Sequence, residues 1–237
     1  MSLATFTVPD TRTRILEATA ACISQDGLVA VRMVTIAKAA GVSTALLHYH
    51  FATKEHLLEQ VLRHSYESTT VLDQAALSDA GRTAAQRLAG YLDRYLPSDD
   101  SLARDWLLWQ EFGLMSLRHP RLAAVNADLH EGDVNAIAGI INDGIADGSF
   151  HDCDAAAIAC AAVAMCDGLG TRVLSDDPRT TLHDAREIVA TTIASLIGYA
   201  SRLPFPTEGT SSTSQPSRSM SALRKSRDIR STRKDTP

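Results

Sequence analysis

Residues 33–58 read MVTIAKAAGVSTALLHYHFATKEHLL, and this stretch decides the fold of the N-terminal part of the chain. Its apolar spacing predicts a short helix over residues 33–40 that ends at Gly41. Ser43 is placed to cap a second short helix over residues 44–50. Two short helices joined by a tight glycine-containing turn are typical of a helix-turn-helix. The side chains expected to point inward are Ile36, Ala37, Ala40, Val42, Leu47 and Phe51.

Helical patterns flank this motif on both sides. Upstream, Asp10 or Thr11 can cap a helix that Gly27 ends in the left-handed conformation. Downstream, Thr53 caps a longer helix. The apolar stripes of the two helices consist of Ile15, Ala18, Thr19, Cys22 and Ile23, and of Leu57, Leu58, Val61 and Leu62. The pattern predicts a three-helix head with a connector, although an ordinary helical bundle with a glycine turn fits the geometry as well.

The formal net charge of -5 is unevenly distributed along the chain. Residues 10–65 hold six basic and five acidic side chains, residues 66–203 hold ten and twenty, and residues 204–237 hold seven and three. The N-terminal part is therefore free to approach phosphates, which permits DNA binding without proving it. We divide the chain into a flexible arm (1–9), a helix-turn-helix domain (10–60), an effector-binding and dimerisation domain (61–203) and a disordered basic tail (204–237).

Three stretches closely resemble the head of TetR-family transcriptional regulators: TRILEA at residues 13–18, IAKAAGVS at residues 36–43 and HYHFATKEHLL at residues 48–58. The resemblance implies an all-α fold with a helix-turn-helix head and a helical C-terminal bundle. It also implies a homodimer, usually a repressor, that reads a palindromic operator in double-stranded DNA and binds a small-molecule effector. The alternative is an all-helical ligand-binding or scaffold protein without a role on DNA.

The resemblance assigns base contacts to the second helix of the motif. Thr44, Ala45 and Leu46 match positions that face base edges in the major groove, with Tyr49 nearby. Alanine and leucine suit thymine methyl groups, and this helix has no Arg, Asn or Gln for bidentate base recognition. We therefore expect specificity to come partly from thymine contacts and from DNA shape.

Phosphate contacts are assigned by the same resemblance. Lys54, in the first turn of the fourth helix, is the clearest candidate. Arg32 stands where the family often has a capping Ser or Thr, and an arginine cannot cap but can reach a phosphate. For Tyr49 and His50, packing within the head is the alternative. The predicted DNA-binding residues are Arg32, Thr35, Lys38, Ser43, Thr44, Ala45, Leu46, His48, Tyr49, His50 and Lys54.

Five further helices are predicted in the body. They cover residues 82–96, 101–117, 121–146, 152–174 and 182–201, and Thr181 with Asp184 forms a near capping box at the start of the last one. The 152–174 helix is rich in alanine, and the last helix carries an apolar stripe. Such a pair suits a four-helix interface between two subunits, although both stripes could be covered within one subunit. Because family members usually dimerise through their last two helices, we expect the interface there.

An effector pocket is expected among the middle helices. Its predicted residues are Tyr91, Tyr95, Trp106, Trp109, Glu111, Phe112, Met115 and Asp167. The body around the two tryptophans and the sequence Asp-Gly-Leu at residues 167–169 resembles the sub-branch of choline- and other amine-responsive repressors. Indole faces in an acidic body would suit a cationic ligand. Simple core packing explains each aromatic residue equally well.

Other classes of function find little support in the sequence. No nucleophile–base pair, phosphate-binding glycine loop or metal motif is present, so we expect no enzyme activity, cofactor or metal. The four cysteines form no CxxC pair and are expected to be buried thiols. No signal peptide or membrane span is expected, which predicts a cytoplasmic protein associated with the nucleoid and without a membrane partner.

Overall fold

The computed structural model describes residues 10–77 and 81–205, except the side chains of residues 69–77, 100 and 101. Nine helices and no strand occur in this described part, so the predicted all-α fold is confirmed. The helices are α1 Thr11–Asp26, α2 Met33–Ala39, α3 Thr44–His50, α4 Lys54–Leu77, α5 Ala84–Arg94, α6 Asp100–Ser116, α7 Pro120–Ala146, α8 Ala155–Leu174 and α9 Leu182–Leu196. The predicted arm, and the predicted tail beyond residue 205, lie outside the described residues.

The chain divides into two compact units. Unit 1 consists of Met1–Thr69 and Leu107–Leu129, and unit 2 consists of Thr70–Trp106 and His130–Pro237. The sequence predicts one continuous N-terminal domain that ends at residue 60. The compact unit instead combines the N-terminal helices with residues 107–129, which are distant in the sequence. The functional domain boundaries stay a prediction.

The core of unit 1 consists of apolar side chains from one face of each of its helices. Leu47 and Phe51 are fully buried, as predicted, and Val42 and Ala40 pack at the edge of the core. The segment from residue 107 to residue 129 adds five further buried residues to the same core, namely Leu108, Phe112, Leu122, Val125 and Leu129. Helices of seven residues are marginal on their own, so burial of their apolar side chains stabilises α2 and α3.

The ends of the first helices follow the predicted caps, with one correction. The Asp10 carboxylate accepts a hydrogen bond from the Thr13 amide at 2.6 Å, and the Thr53 hydroxyl accepts one from the His56 amide at 3.1 Å. Gly27 has the expected positive φ of 77°, but its ψ of 152° is extended, so the predicted left-handed helix end is wrong. The chain leaves α1 directly into a turn, in which the Ala30 amide donates to the Gly27 carbonyl at 3.2 Å.

The five predicted body helices are present, three of them with shifted ends, and the division between the units falls within α6 and within α7. Capping boxes begin α5 at Thr83 and α9 at Thr181, the second of which confirms the predicted pair of Thr181 and Asp184. The Asp154 carboxylate caps α8, so that helix starts three residues later than predicted. Helix α9 ends at Leu196 rather than at residue 201, since Gly198 takes a φ of 65°. The ends predicted for α6 and α7 are correct within one residue.

Candidate nucleic-acid interface

The turn between α2 and α3 is set by local hydrogen bonds. Gly41 takes a φ of 66°, a left-handed conformation that glycine adopts without strain. The Val42 amide donates to the Ala37 carbonyl at 2.9 Å and the Gly41 amide donates to the Lys38 carbonyl at 3.3 Å. This is the pattern of a Schellman motif. The Ser43 hydroxyl then caps α3 by accepting from the Leu46 amide at 3.1 Å.

Helix α3 has one buried side and one open side. Leu47 is fully buried, whereas Tyr49 is 84% exposed and Leu46 is 39% exposed. Ala45 and His48 are exposed as well. Packing within the head therefore does not account for Tyr49. His50 is half-buried, and its ring lies 5.4 Å from that of Tyr49 in an edge-to-face arrangement.

The predicted phosphate contacts on α2 lie at the surface. Arg32, Thr35 and Lys38 are exposed, and Thr44 at the start of α3 is half-buried. Arg32 is the N-cap of α2 in extended conformation and makes no side-chain cap, as its residue type predicts. These side chains and the open side of α3 belong to the same two-helix motif.

Lys54 has an internal partner that the sequence did not indicate. Its Nζ donates hydrogen bonds to the Leu28 carbonyl at 3.2 Å and to the Val31 carbonyl at 2.6 Å. The side chain is half-buried and binds the turn after α1. A phosphate contact by Lys54 stays a prediction, and the cation carries a structural role in any case.

Arg12 was not predicted as a site residue, yet its side chain contacts Phe51, the residue directly after α3. Its guanidinium lies 5.6 Å from the centre of the Phe51 ring, at the end of α3, and donates to the Gln60 side chain on α4. A cation over an aromatic face is attractive. The sequence signal was weak, since an arginine in the first turn of α1 reads as an ordinary surface residue.

The eight predicted effector-pocket residues are divided between the units. Trp109, Glu111, Phe112 and Met115 lie in unit 1, where Phe112 is fully buried and the two neighbouring apolar side chains pack against the core. Glu111 accepts a hydrogen bond from the Leu28 amide at 3.1 Å. Tyr91, Tyr95, Trp106 and Asp167 lie in unit 2. Their common role in a pocket stays a prediction.

In unit 2 the aromatic residues converge on Asp133, which the sequence analysis missed. The Tyr91 and Tyr95 hydroxyls donate to the two oxygens of its carboxylate at 2.8 and 2.7 Å. The two phenol rings are stacked with centres 6.4 Å apart, and the Trp106 indole N–H donates to the Tyr95 carbonyl at 3.2 Å. We call Tyr91, Tyr95, Trp106, Asp133 and Asp167 the aromatic–acidic cluster.

The electrostatics of this cluster favour a positive partner. Burial raises the pKa of Asp167, an effect that nearby His130 opposes and Asp133 reinforces. His130 Nε2 lies 3.8 Å from the Asp167 carboxylate. Burial and the Asp133 charge raise the pKa of Tyr95 far above its usual range, so this phenol stays protonated. Two carboxylates beside stacked rings would attract a cation.

A groove on unit 1 lies apart from the predicted effector residues. It is lined by Glu55, His56, Glu59, His119, Pro120, Arg121 and Leu122. None of these side chains was singled out in the sequence. No group of three or more metal-ligating side chains is found among the residues that the structure describes.

Helices α8 and α9 pack together and leave an apolar surface. On α8 this surface consists of Ala156, Ala157, Cys160, Ala161 and Ala164, and on α9 it includes Ile188 and Leu196. Cys160 and half-buried Cys153 depart from the expectation that the cysteines are buried, which Cys22 and Cys166 meet. Helix α8 has the length and apolar composition to cross a membrane, with 28% of that stretch buried, but a single helix of this kind does not indicate a membrane protein. A helix that packs against other helices can have the same composition.

Two family models match this chain. Residues 15–61 match the model for bacterial regulatory proteins of the tetR family, and residues 84–198 match that for the C-terminal part of BetI-type transcriptional repressors. Together they cover the helix-turn-helix and most of the described body.

Relatives and solved structures agree with these models. The regulator BetI of Vibrio campbellii is 27% identical over 117 residues, which is 48% of this chain and 59% of that protein. The repressor KstR of Mycolicibacterium smegmatis is 42% identical over 78 residues, 32% of this chain and 37% of that protein. The matches thus span about three fifths or less of these relatives. A transcriptional regulator from Saccharomonospora viridis, crystallised in complex with choline, is 30% identical with a TM-score of 0.71, and the match covers 77% of this chain and 94% of that one.

Proposed function

Because the chain belongs to the TetR family of transcriptional regulators, we propose that it is a homodimeric repressor that leaves a palindromic operator when a small effector binds. Regulators of this family bind DNA and small molecules and act as dimers. The observation that carries the proposal is the exposure of Tyr49 and Leu46 on α3, whose opposite side is fully buried at Leu47. Exposed leucine and tyrosine side chains three positions apart are neighbours on a helix, and together they suit contact with a partner surface.

The open side of α3 supports contact with base edges in the major groove. Ala45 and Leu46 can meet thymine methyl groups, and the Thr44 hydroxyl can donate to or accept from a base. Arg32 and Lys38 are exposed cations of the same motif and suit phosphates on either side of the groove. Ser43, Thr35, His48, His50 and Lys54 complete the proposed contact set. Specificity then depends on methyl contacts and on DNA shape rather than on bidentate hydrogen bonds.

Selection from a pool of random duplex DNA tests this function. We expect enrichment of an inverted repeat whose half-sites lie about one helical turn apart, since two heads of a dimer would occupy successive major grooves. Binding that falls steeply with salt would match the exposed cations. A pool that yields no enriched sequence would contradict the proposal and favour a helical scaffold without a role on DNA.

Deoxyuridine in place of thymidine tests the proposed base contacts. The substitution removes only the methyl group, so each contacted position should lose roughly 1 kcal/mol. Leu46→Ala should weaken binding and make affinity insensitive to the substitution at the position it contacts. Equal losses in both proteins would contradict a methyl contact by Leu46.

We propose that two copies of the chain dimerise through the exposed apolar surface of α8 and α9. Small side chains on α8 allow a second helix to approach closely, and Ile188 and Leu196 provide larger apolar contacts. The apolar composition of α8 with little of it buried in one chain fits burial against a second copy. Two subunits would then form a four-helix interface.

The effector is proposed to be an amine that binds the aromatic–acidic cluster. Support comes from the Asp133 carboxylate between two phenols, from the position of Asp167 near Tyr95 and Asp133, and from the Trp106 indole. The match to the BetI-type model and to a structure in complex with choline favours the same class.

A thermal-shift comparison of choline with a neutral alcohol of similar size tests the effector class. At a hundredfold excess over its Kd, a ligand adds about 2.7 kcal/mol of stability, so choline should raise the Tm clearly. Asp133→Asn should abolish the shift. Glu131→Gln, which removes one exposed charge from the same helix, should keep it. Stabilisation by the neutral compound alone would contradict an amine effector.

The proposed role places the protein in the cytoplasm on the nucleoid, where its operator would be. A regulator needs neither a catalytic centre nor a cofactor, and its membership of a regulator family is the reason for proposing no enzyme activity. Release by an effector follows from linkage, because a ligand that prefers the unbound form weakens DNA binding by the same factor.

A further inference from the structure

The two peptide groups that flank the Leu28 Cα, just after α1, are each bound by a charged side chain. We call residues 27–31 the α1–α2 turn. The Leu28 amide donates to Glu111 Oε2 at 3.1 Å, and the Leu28 carbonyl accepts from Lys54 Nζ at 3.2 Å. Lys54 also binds the Val31 carbonyl at 2.6 Å. Both charged residues are half-buried, and all of these groups belong to unit 1.

The turn is closely fitted to the Glu111 carboxylate. A Cβ at Gly27 would lie 3.4 Å from Glu111 Oε1, so the carboxylate packs against bare backbone. Leu28 and Val31 are buried in the core of unit 1, while Val29 between them is exposed. The position of the turn therefore depends on its two apolar anchors and on the two charged side chains.

Helix α2 begins directly after this turn. It has seven residues, and its N-cap Arg32, the residue directly after Val31, makes no side-chain cap. A helix this short is marginal without tertiary support. Any displacement of the turn is thus passed to Arg32 and to the first turn of α2.

We propose that Glu111 is a positioning residue for DNA binding. Its carboxylate fixes the α1–α2 turn through the Leu28 amide and so holds Arg32 and Thr35 where they can meet the DNA backbone. This inference rests on the proposed DNA-binding function and gives Glu111 a role other than ligand contact. Lys54 supports the same turn through the Leu28 and Val31 carbonyls.

Variants at Glu111 with a matched charge control test the proposal. Glu111→Ala removes the acceptor, Glu111→Asp keeps the charge but shortens its reach, and Glu111→Gln keeps an acceptor oxygen without the charge. Glu17→Ala removes an exposed negative charge from α1 and serves as control. The measurements are operator Kd, urea unfolding midpoint and hydrogen exchange of the Leu28 amide.

We expect Glu111→Ala and Glu111→Asp to bind the operator about tenfold more weakly, with faster exchange at Leu28. Glu111→Gln should stay within about twofold of the wild type, since its side-chain oxygen accepts the same hydrogen bond. Glu17→Ala should bind with unchanged or higher affinity, because loss of negative charge alone favours binding to DNA. The aspartate variant gives the answer if the alanine variant does not fold.

Wild-type affinity in the alanine and aspartate variants would overturn the proposal, as would a glutamine variant as weak as the alanine one. An unchanged exchange rate at Leu28 in these variants would overturn it too. Failure of the wild type to bind any duplex would instead refute the proposed function. The two failures are therefore distinguishable.

Discussion

Gly170 on α8 lies directly against the indole ring of Trp106. A Cβ at residue 170 would come within 3.0 Å of three carbon atoms of that ring, so the indole occupies the space that any side chain would need. The ring is also fixed by its N–H, which donates to the Tyr95 carbonyl. The absence of a side chain at residue 170 thus determines where one wall of the aromatic–acidic cluster lies.

Gly170→Ala should destabilise the protein by roughly 1–3 kcal/mol, because a buried clash forces side chains or backbone to move. Gly139→Ala is the matched control, since residue 139 lies in helix α7 and the added Cβ would meet no atom within 4 Å beyond the backbone of its own helix. That variant should be neutral or gain up to about 1 kcal/mol from helix propensity. Urea unfolding measures both, and equal stabilities would refute the close fit at residue 170.

Alkaline pH should destabilise the protein through Tyr95. Burial and Asp133 raise the pKa of this phenol from its usual value of 10.0. Its contribution to stability is complete below pH 10 and is lost as the pH rises further, because only the unfolded chain then ionises. One such group costs about 1.4 kcal/mol per pH unit.

Unfolding midpoints between pH 9 and 11 check this prediction. Tyr95→Phe should have a lower stability at pH 9 but a flatter decline above pH 10. Tyr49→Phe, at an exposed side chain, should keep the wild-type slope. The same slope in all three proteins would mean that Tyr95 is not the group responsible.

Ser43 separates the stability of α3 from its function. Ser43→Ala removes the cap on the Leu46 amide and should cost about 1 kcal/mol. Ser43→Asp restores a capping oxygen and should recover that stability, yet it places a negative charge beside the proposed DNA surface. Ser43→Asp should therefore bind the operator more weakly than the wild type, although its stability is restored. Wild-type operator affinity in Ser43→Asp would mean that the start of α3 does not lie near the DNA phosphates.

A single arginine placed on the exposed apolar surface of α8 and α9 tests whether the protein dimerises there. Ala161→Arg should yield a monomer, because an unpaired charge in a closely packed interface is costly. Ala127→Arg, at an exposed position on α7, should leave the mass of the assembly unchanged. Sedimentation velocity measures both. A dimeric Ala161→Arg protein would move the proposed interface elsewhere.

The helix-turn-helix could be predicted residue by residue because its signals are local. Gly41 and Ser43 set the end of α2 and the start of α3 within a few residues of each other, and the structure places α3 at the predicted bounds. Thr53 and Thr181 act as caps in the same way. In each case the deciding hydrogen bond joins residues three to five positions apart.

Contacts between distant residues could not be predicted from the same patterns. Glu111 and Leu28 are 83 positions apart, and Tyr91 and Asp133 are 42 apart. Periodicity shows that Phe112 faces inward, but not that it faces the core of unit 1. Asp133 carried no signal either, since one carboxylate among many on acidic helices reads as a solvated side chain.

The affinity of the selected operator for Leu46→Ala/Tyr49→Ala tests the central claim, that the open side of α3 reads duplex DNA. Both side chains are exposed, so the unfolding midpoint should stay that of the wild type. Leu114→Ala/Leu117→Ala, which truncates two exposed leucines elsewhere in unit 1, is the control. We predict that the first variant loses at least about tenfold in affinity while the control binds normally. Wild-type affinity in the Leu46→Ala/Tyr49→Ala protein would contradict the account.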